Sequence, residues 1–179
     1  MSMGREHETA AWTPTRWSEH ETLLVVGKGP CVWDDVEAFW AFDHPHDVCC
    51  LNHIGFLYPR AFRHWYAHDD DMLRLLAFRP GLVHSCRAMP GFTEGMYHVW
   101  NLASPLGGSA VQATRLALAQ WGYGRIVWAG IPLDTGVYKQ AFLPVVRSHK
   151  RDWSGRVKSM RGATRVLLGE PTKEWLAHG

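Results

Sequence analysis

The stretch Gly27-Lys28-Gly29-Pro30-Cys31 sets one ammonium among two glycines and a proline, the composition of a loop that can press its backbone against a phosphate. The glycines are free to take positive φ and the proline fixes its own, so a tight turn is expected. The loop lacks the third glycine of the dinucleotide fingerprint, and no Gly-Lys-Ser/Thr follows a four-residue spacer. A plain strand-to-helix turn with a solvated Lys28 is therefore the competing interpretation. Asp34 and Asp35 favour a helix start through the macrodipole but would repel a phosphate at that helix end. The loop backbone is thus expected to face any ligand.

A second cluster lies between residues 137 and 165. Lys139, Arg147, Lys150, Arg151, Arg156, Lys158, Arg161 and Arg165 stand there against Asp152 alone. Such an excess suits an anionic ligand or, more plainly, a solvated basic helix. The acidic run Asp69-Asp70-Asp71 has carboxylates that a hard cation would accept. Asp69 as an N-cap, with Asp70 and Asp71 in the first helical turn, accounts for all three without a metal. Cys31, Cys49, Cys50 and Cys86 form no CxxC pair and no zinc spacing with the histidines. Adjacent Cys49 and Cys50 on a strand point to opposite faces, as small core residues of a reducing compartment would.

The elements that must position these groups follow from periodicity. Thr22–Val26 is an uncharged, largely apolar run followed by Gly27, which predicts a strand buried on both faces. Val36, Phe39 and Trp40 at i, i+3 and i+4 predict an amphipathic helix after the loop. Further strands are expected at 47–51, ending in Asn52, and at 64–67, followed by His68. Others are expected at 81–85, 97–102 and 125–129. A helix from about Ala110 to Trp121 follows the break at Gly107-Gly108-Ser109, and Gly122 and Gly124 stop it. Beyond Asp134 the expectation is a long loop, a basic helix from about Trp153 to Arg161, a strand at 165–168 and a short terminal helix. Strands alternating with helices imply an α/β fold: a single Rossmann-like domain with a mostly parallel sheet and helices on both faces. It would span 22–179, behind a flexible N-terminal arm at 1–21 that Trp12 and Trp17 could pin to the body.

The chain has 179 residues, of which 46% are hydrophobic, enough for one full core. No apolar run approaches a membrane span, so a cytoplasmic protein is expected. The ten tryptophans read mainly as core or lid residues, which makes nucleic acid a less favoured partner.

Several pieces, in this order, resemble the superfamily that joins bacterial lipooligosaccharide sialyltransferases to 6-hydroxymethylpterin pyrophosphokinase-like proteins. The family's Gly-x-Gly-Pro-Ser after its first strand is matched by Gly27–Cys31, with cysteine for serine. Its strand-ending asparagine is matched by Asn52, and its Ser/Thr-Gly turn by Gly107-Gly108-Ser109 with the order reversed. The small-residue helix then ends in Gly122-Tyr123, and a strand leads to Gly130. The family's Gly-x-Asp has become Gly130-Ile131-Pro132-Leu133-Asp134. The likeness spans roughly residues 22 to 176, and short members with a Gly-x-Pro-x-Asp version resemble phage-encoded proteins.

The resemblance implies that Gly27, Lys28, Gly29, Pro30, Cys31, Asn52 and Gly107–Ser109 surround a nucleotide, with His68 and Asp134 as further ligand contacts. It implies that His149 is the general base, while Arg147, Lys150 and Arg151 stabilise a departing nucleotide phosphate. The leading expectation is a glycosyltransferase-like enzyme that uses a nucleotide or nucleotide-sugar donor, an unknown acceptor and no required cofactor. The alternatives are a pyrophosphoryl transferase holding Mg2+ on Asp70 and Asp134, and a non-catalytic nucleotide-binding or sequestering module.

Overall fold

The uncharged run Thr22–Val26 is strand β1, and every one of its residues is buried, because β1 lies in the interior of the sheet with helices on both faces. It pairs in parallel with β2 (Asp47–Leu51) on one side and β6 (Arg125–Ala129) on the other. Strands β3 (His64–Tyr66), β4 (Leu82–Ser85) and β5 (His98–Val99) continue outward from β2, and β7 (Val157–Ser159) flanks β6. The seven strands are all parallel, in the order β5-β4-β3-β2-β1-β6-β7. This is a single Rossmann-like α/β domain. The computed structural model describes residues 17–68, 82–85, 98–100 and 107–178. The expectations for Trp12, the aspartates 69–71 with the helix after them, Cys86 and the loop at 89–91 lie outside the described residues.

The period of two divides the sheet between two cores. Leu24, Val26 and Cys50 face α1 (Val32–Trp40), joined by Ile54 of the short α2 (Ile54–Leu57). Leu23, Val25 and Cys49 face α3 (Gly108–Ala119) and α4 (Gly136–Ser148), which contribute Leu116, Ala117 and Val146. Cys49 and Cys50 therefore lie in opposite cores, both fully buried, and burial pushes both thiols up. Among the described residues no helix is long and apolar enough to cross a membrane.

The last third of the chain departs from expectation. The long loop is the thirteen-residue helix α4, which carries Pro144 in its interior on the solvent side. Proline argues against a helix from sequence, but burial of Val146 and partial burial of Phe142 and Val145 hold this one. The basic helix does not exist. Val157-Lys158-Ser159 is the strand β7 instead, an edge strand with half-buried Lys158 between two buried neighbours. The expected strand at 165–168 belongs to helix α5 (Gly162–Leu168), closed by Gly169 at φ 85°. Val166-Leu167-Leu168 is too short for periodicity to separate helix from strand. The tertiary anchor is Thr164, fully buried, which donates to the Ile131 carbonyl at 2.7 Å and bonds Ser159 at 2.8 Å. Helix α6 (Lys173–Ala177) closes the chain, capped by Thr172, whose hydroxyl accepts from the Trp175 N–H.

Candidate functional site

The strand order reverses between β1 and β6, since β1 leads to β2 on one side while β6 and β7 lie on the other. In an open parallel sheet the loops leaving two such strands diverge to opposite faces and open a crevice at their carboxyl ends. Here the two loops are Gly27–Cys31 and Gly130–Asp134. The Gly27 N–H donates to the Ala129 carbonyl at 2.9 Å, and the Gly29 N–H to the Gly130 carbonyl at 2.7 Å.

Neither Gly27 nor Gly29 takes a positive φ, contrary to expectation. Their requirement is close approach. A Cβ on Gly29 would sit 2.6 Å from the Gly130 oxygen and 2.7 Å from Pro132, and one on Gly27 would sit 2.5 Å from Ile131. The left-handed residues are Gly130 and Leu133 on the facing loop, with φ 66° and 49°. Lys28 and Pro30 are exposed at the rim.

Asp35 has a different role from the one expected. It is not a solvated first-turn acid but a buried cross-link, 2% exposed. Its Oδ2 accepts from the Gly130 N–H at 3.0 Å and from the Cys31 thiol at 3.2 Å, and its Oδ1 accepts from Arg161 Nε at 2.9 Å. Burial first, then the bond and charge of Asp35, push Cys31 up to about 11. Cys31 thus donates as a thiol to Asp35 and holds the loop to α1.

Asn52 and Ser109 meet across β2 and α3, with Nδ2 3.3 Å from Oγ. Asn52 has φ 49°, and its carbonyl accepts from the Trp65 indole at 2.7 Å. Gly107 and Gly108 both have positive φ, and a Cβ on Gly108 would meet the Phe142 ring at 3.1 Å. Phe142 in turn lies 5.8 Å from the ring of Tyr138, in the first turn of α4. His68 follows β3, half-buried, on the same edge. The fold therefore brings the Gly27–Cys31 loop, Asn52, Gly107–Ser109 and His68 to one edge of the sheet. Tyr138 and Phe142 carry no site signal in the sequence, because Pro144 makes their helix read as loop, and exposed His53 stands outside any motif although it follows Asn52.

Asp134 lies beside this edge, but its Oδ1 accepts from the Ala163 N–H at 2.6 Å and so fastens the start of α5. That bond accounts for Asp134 without a metal. Its expected magnesium partner, Asp70, is outside the described residues.

His149, Arg147, Lys150 and Arg151 are not brought to the crevice. Helix α4 leaves the carboxyl edge after β6 and runs back to feed β7 from the amino edge. Thirteen residues of helix place His149 about 20 Å from the start of α4, at the opposite end from the carboxyl edge. There it caps α4 and stacks on Trp153, with ring centroids 4.8 Å apart. Partial burial, aided by Arg115, lowers its pKa. The basic block is likewise dispersed. Arg156 donates to the Tyr123 and Gly124 carbonyls, whereas Arg161 pairs with Asp35 and Arg165 with Glu170.

No family model, curated protein or solved structure matches this chain. The chemistry of the crevice must be argued from its own residues.

A second polar assembly is buried within the sheet's outer half. The Trp100 indole can only donate, so its 3.1 Å bond makes His84 Nδ1 an acceptor and leaves the proton on Nε2. His84 Nε2 then donates to His64 Nδ1 at 2.9 Å, and His64 Nε2 donates to the Tyr123 hydroxyl at 2.8 Å. Tyr123 donates to Asp47 Oδ2 at 2.8 Å, which also accepts the Glu19 and His20 N–H groups. Burial first, then neighbouring Arg63, pushes His64 down to about 3, and burial with His64 and His98 pushes His84 well below its ordinary value. Trp17 packs on His84, His98 and Trp100, so the end of the expected arm is held to the body. Glu19, His20 and Asp47 have ligand atoms within 4.8 Å of one another. Glu19 is paired with Arg63 and Asp47 with three donors, so two of the three groups are already engaged.

Proposed function

We propose that this chain binds a nucleotide or nucleotide-sugar at the carboxyl edge of its sheet and transfers a group from it to an acceptor. The observation that carries the reading is the strand-order reversal between β1 and β6, with the tightly interlocked Gly27–Cys31 and Gly130–Asp134 loops on its two sides. Exposed side chains support it. Val137 and Tyr138 are 72% and 55% exposed at the start of α4, and Trp33 and Leu57 are exposed on α1 and α2 beside the same edge. Neighbouring apolar side chains left in water, as Val137 and Tyr138 are, mark a surface that something covers. Tyr138, backed by Phe142, offers a face for a base, Lys28 and Lys139 are exposed cations for phosphates, and the Asn52–Ser109 pair offers hydrogen bonds for a ribose.

In the transfer, the acceptor hydroxyl oxygen would bond to the donor's anomeric carbon as the carbon–oxygen bond to the phosphate breaks. The nucleotide would leave with that electron pair, and the hydroxyl proton would pass to a base. His149 is too distant for this, so His53 and His68, which follow β2 and β3 at the ligand edge, take its place in the proposal.

The test is a thermal-shift and calorimetry screen over nucleotides and nucleotide sugars, with and without Mg2+, on the native chain and on Tyr138→Ala. A nucleotide that raises Tm in the native chain and loses at least tenfold affinity in Tyr138→Ala supports the reading. No binding by any nucleotide, or binding indifferent to Tyr138, rejects it.

A further inference from the structure

A cavity of about 390 Å³ lies between the flank of α1 and the segment 160–171, and shares Asp35 with the anchoring of the switch-point loops. One wall is Asp35 and Ala38, at i and i+3 on α1, with Phe42 in the turn just beyond the helix. Opposite stand Met160, Arg161 and Arg165, with Glu170 beside Pro171. The volume falls within the range of small-molecule sites.

The two arginines are held differently. Arg161 is oriented by its Nε bond to the buried Asp35 carboxylate at 2.9 Å, and its Nη2 lies 3.8 Å from Asp34. Among the described residues its Nη1 has no hydrogen-bond partner, and the side chain is about half exposed. Asp35 is itself fixed by the Gly130 N–H and the Cys31 thiol. Arg161 is therefore a guanidinium pre-oriented by a buried carboxylate, with donors to spare, the arrangement that makes an anion contact cost little entropy. Arg165 pairs with Glu170 at 3.5 Å, both residues exposed, a contact weak enough for an incoming anion to displace. Phe42, Ala38 and Met160 supply apolar surface next to these cations.

We propose that this cavity binds a small amphiphilic anion, a carboxylate or phosphate head on an apolar body, with the head between Arg161 and Arg165 and the body against Phe42, Ala38 and Met160. The site adjoins the switch-point loops through Asp35, but its ligand chemistry does not depend on the nucleotide reading. Phosphate and carboxylate share the chemistry that a guanidinium fork recognises, and the apolar wall distinguishes such a ligand from a bare ion.

The experiment is calorimetry on the full chain with phenyl phosphate, benzoate, inorganic phosphate and phenol. Phenyl phosphate or benzoate should bind at least tenfold more tightly than either inorganic phosphate or phenol. Arg165→Ala should weaken that binding at least tenfold by removing a head contact. Ala38→Leu should do the same by filling the cavity at an exposed helical position without altering charge. Glu170→Gln should tighten binding several-fold by releasing Arg165, an effect that a purely structural pair would not produce. Equal affinity for inorganic and phenyl phosphate would overturn the proposal, as would binding that survives Ala38→Leu or is not tightened by Glu170→Gln.

Discussion

Asp35 on α1 accepts a hydrogen bond from the backbone N–H of Gly130 at 3.0 Å, so the first helix is tied directly to the turn that ends β6. The two residues are 95 positions apart, and the bond crosses the floor of the switch-point crevice. It makes one carboxylate responsible for the geometry of both loops.

Replacing Asp35 by Ala should destabilise the fold by about 1–3 kcal/mol, the usual cost of leaving a buried donor without its partner. Urea denaturation would measure it. Asp35→Asn should lose less, because the amide oxygen still accepts from Gly130. Equal losses in both variants would show that charge, not the hydrogen bond to Gly130, dominates.

Gly29→Ala should lower stability by about 1–3 kcal/mol even without ligand, because its Cβ would meet backbone oxygen and a proline ring rather than a flexible side-chain tip. An unchanged Tm would mean the loops separate freely. The Gly29 constraint would then belong to ligand binding alone.

At Asn52 the informative substitution is glycine. With φ at 49°, alanine would add backbone strain to the loss of the side chain, whereas glycine removes only the side chain's bond to Ser109. Asn52→Gly should weaken nucleotide binding by at least tenfold while Tm moves by no more than a few degrees, both readable in one thermal-shift series.

His64 and His84 are buried as neutral rings, so their folded pKa values lie below that of the unfolded chain. Their contribution is complete above about pH 6.5 and is lost as pH falls from there toward the folded value, since the unfolded state binds the protons first. Each histidine steepens the loss by up to about 1.4 kcal/mol per pH unit. In urea midpoints measured from pH 7.5 to 4.5, His64→Gln should start lower at neutral pH yet show an acid limb shallower by about one proton. An unchanged slope would place the acid sensitivity elsewhere.

His149→Ala should leave nucleotide binding within twofold of the native chain and cost about 0.5–1.5 kcal/mol of stability from the lost stack on Trp153. Calorimetry and urea denaturation together separate these effects. Loss of nucleotide affinity at normal stability would contradict the separation of His149 from the crevice.

The sequence by itself determined the local and periodic features: β1 as a fully buried run, the α1 stripe, the split of Cys49 and Cys50 between faces, and hence the parallel α/β class. These follow from chain-neighbour spacing, which fixes the face a residue occupies once its element is known. That Asn52 and Gly107–Ser109 lie close together was legible only through the resemblance, and the Asn52–Ser109 hydrogen bond shows that they do. Only the tertiary structure decided which edge His149 occupies, since the answer depends on reading 136–148 as a helix despite Pro144. Only the tertiary structure turned Asp35 from a helix-start acid into the buried link between Gly130 and Arg161, and placed Thr164 so that 162–168 folds as helix rather than strand. These outcomes rest on contacts between residues from 33 to 126 positions apart, whose energies leave no trace in local composition.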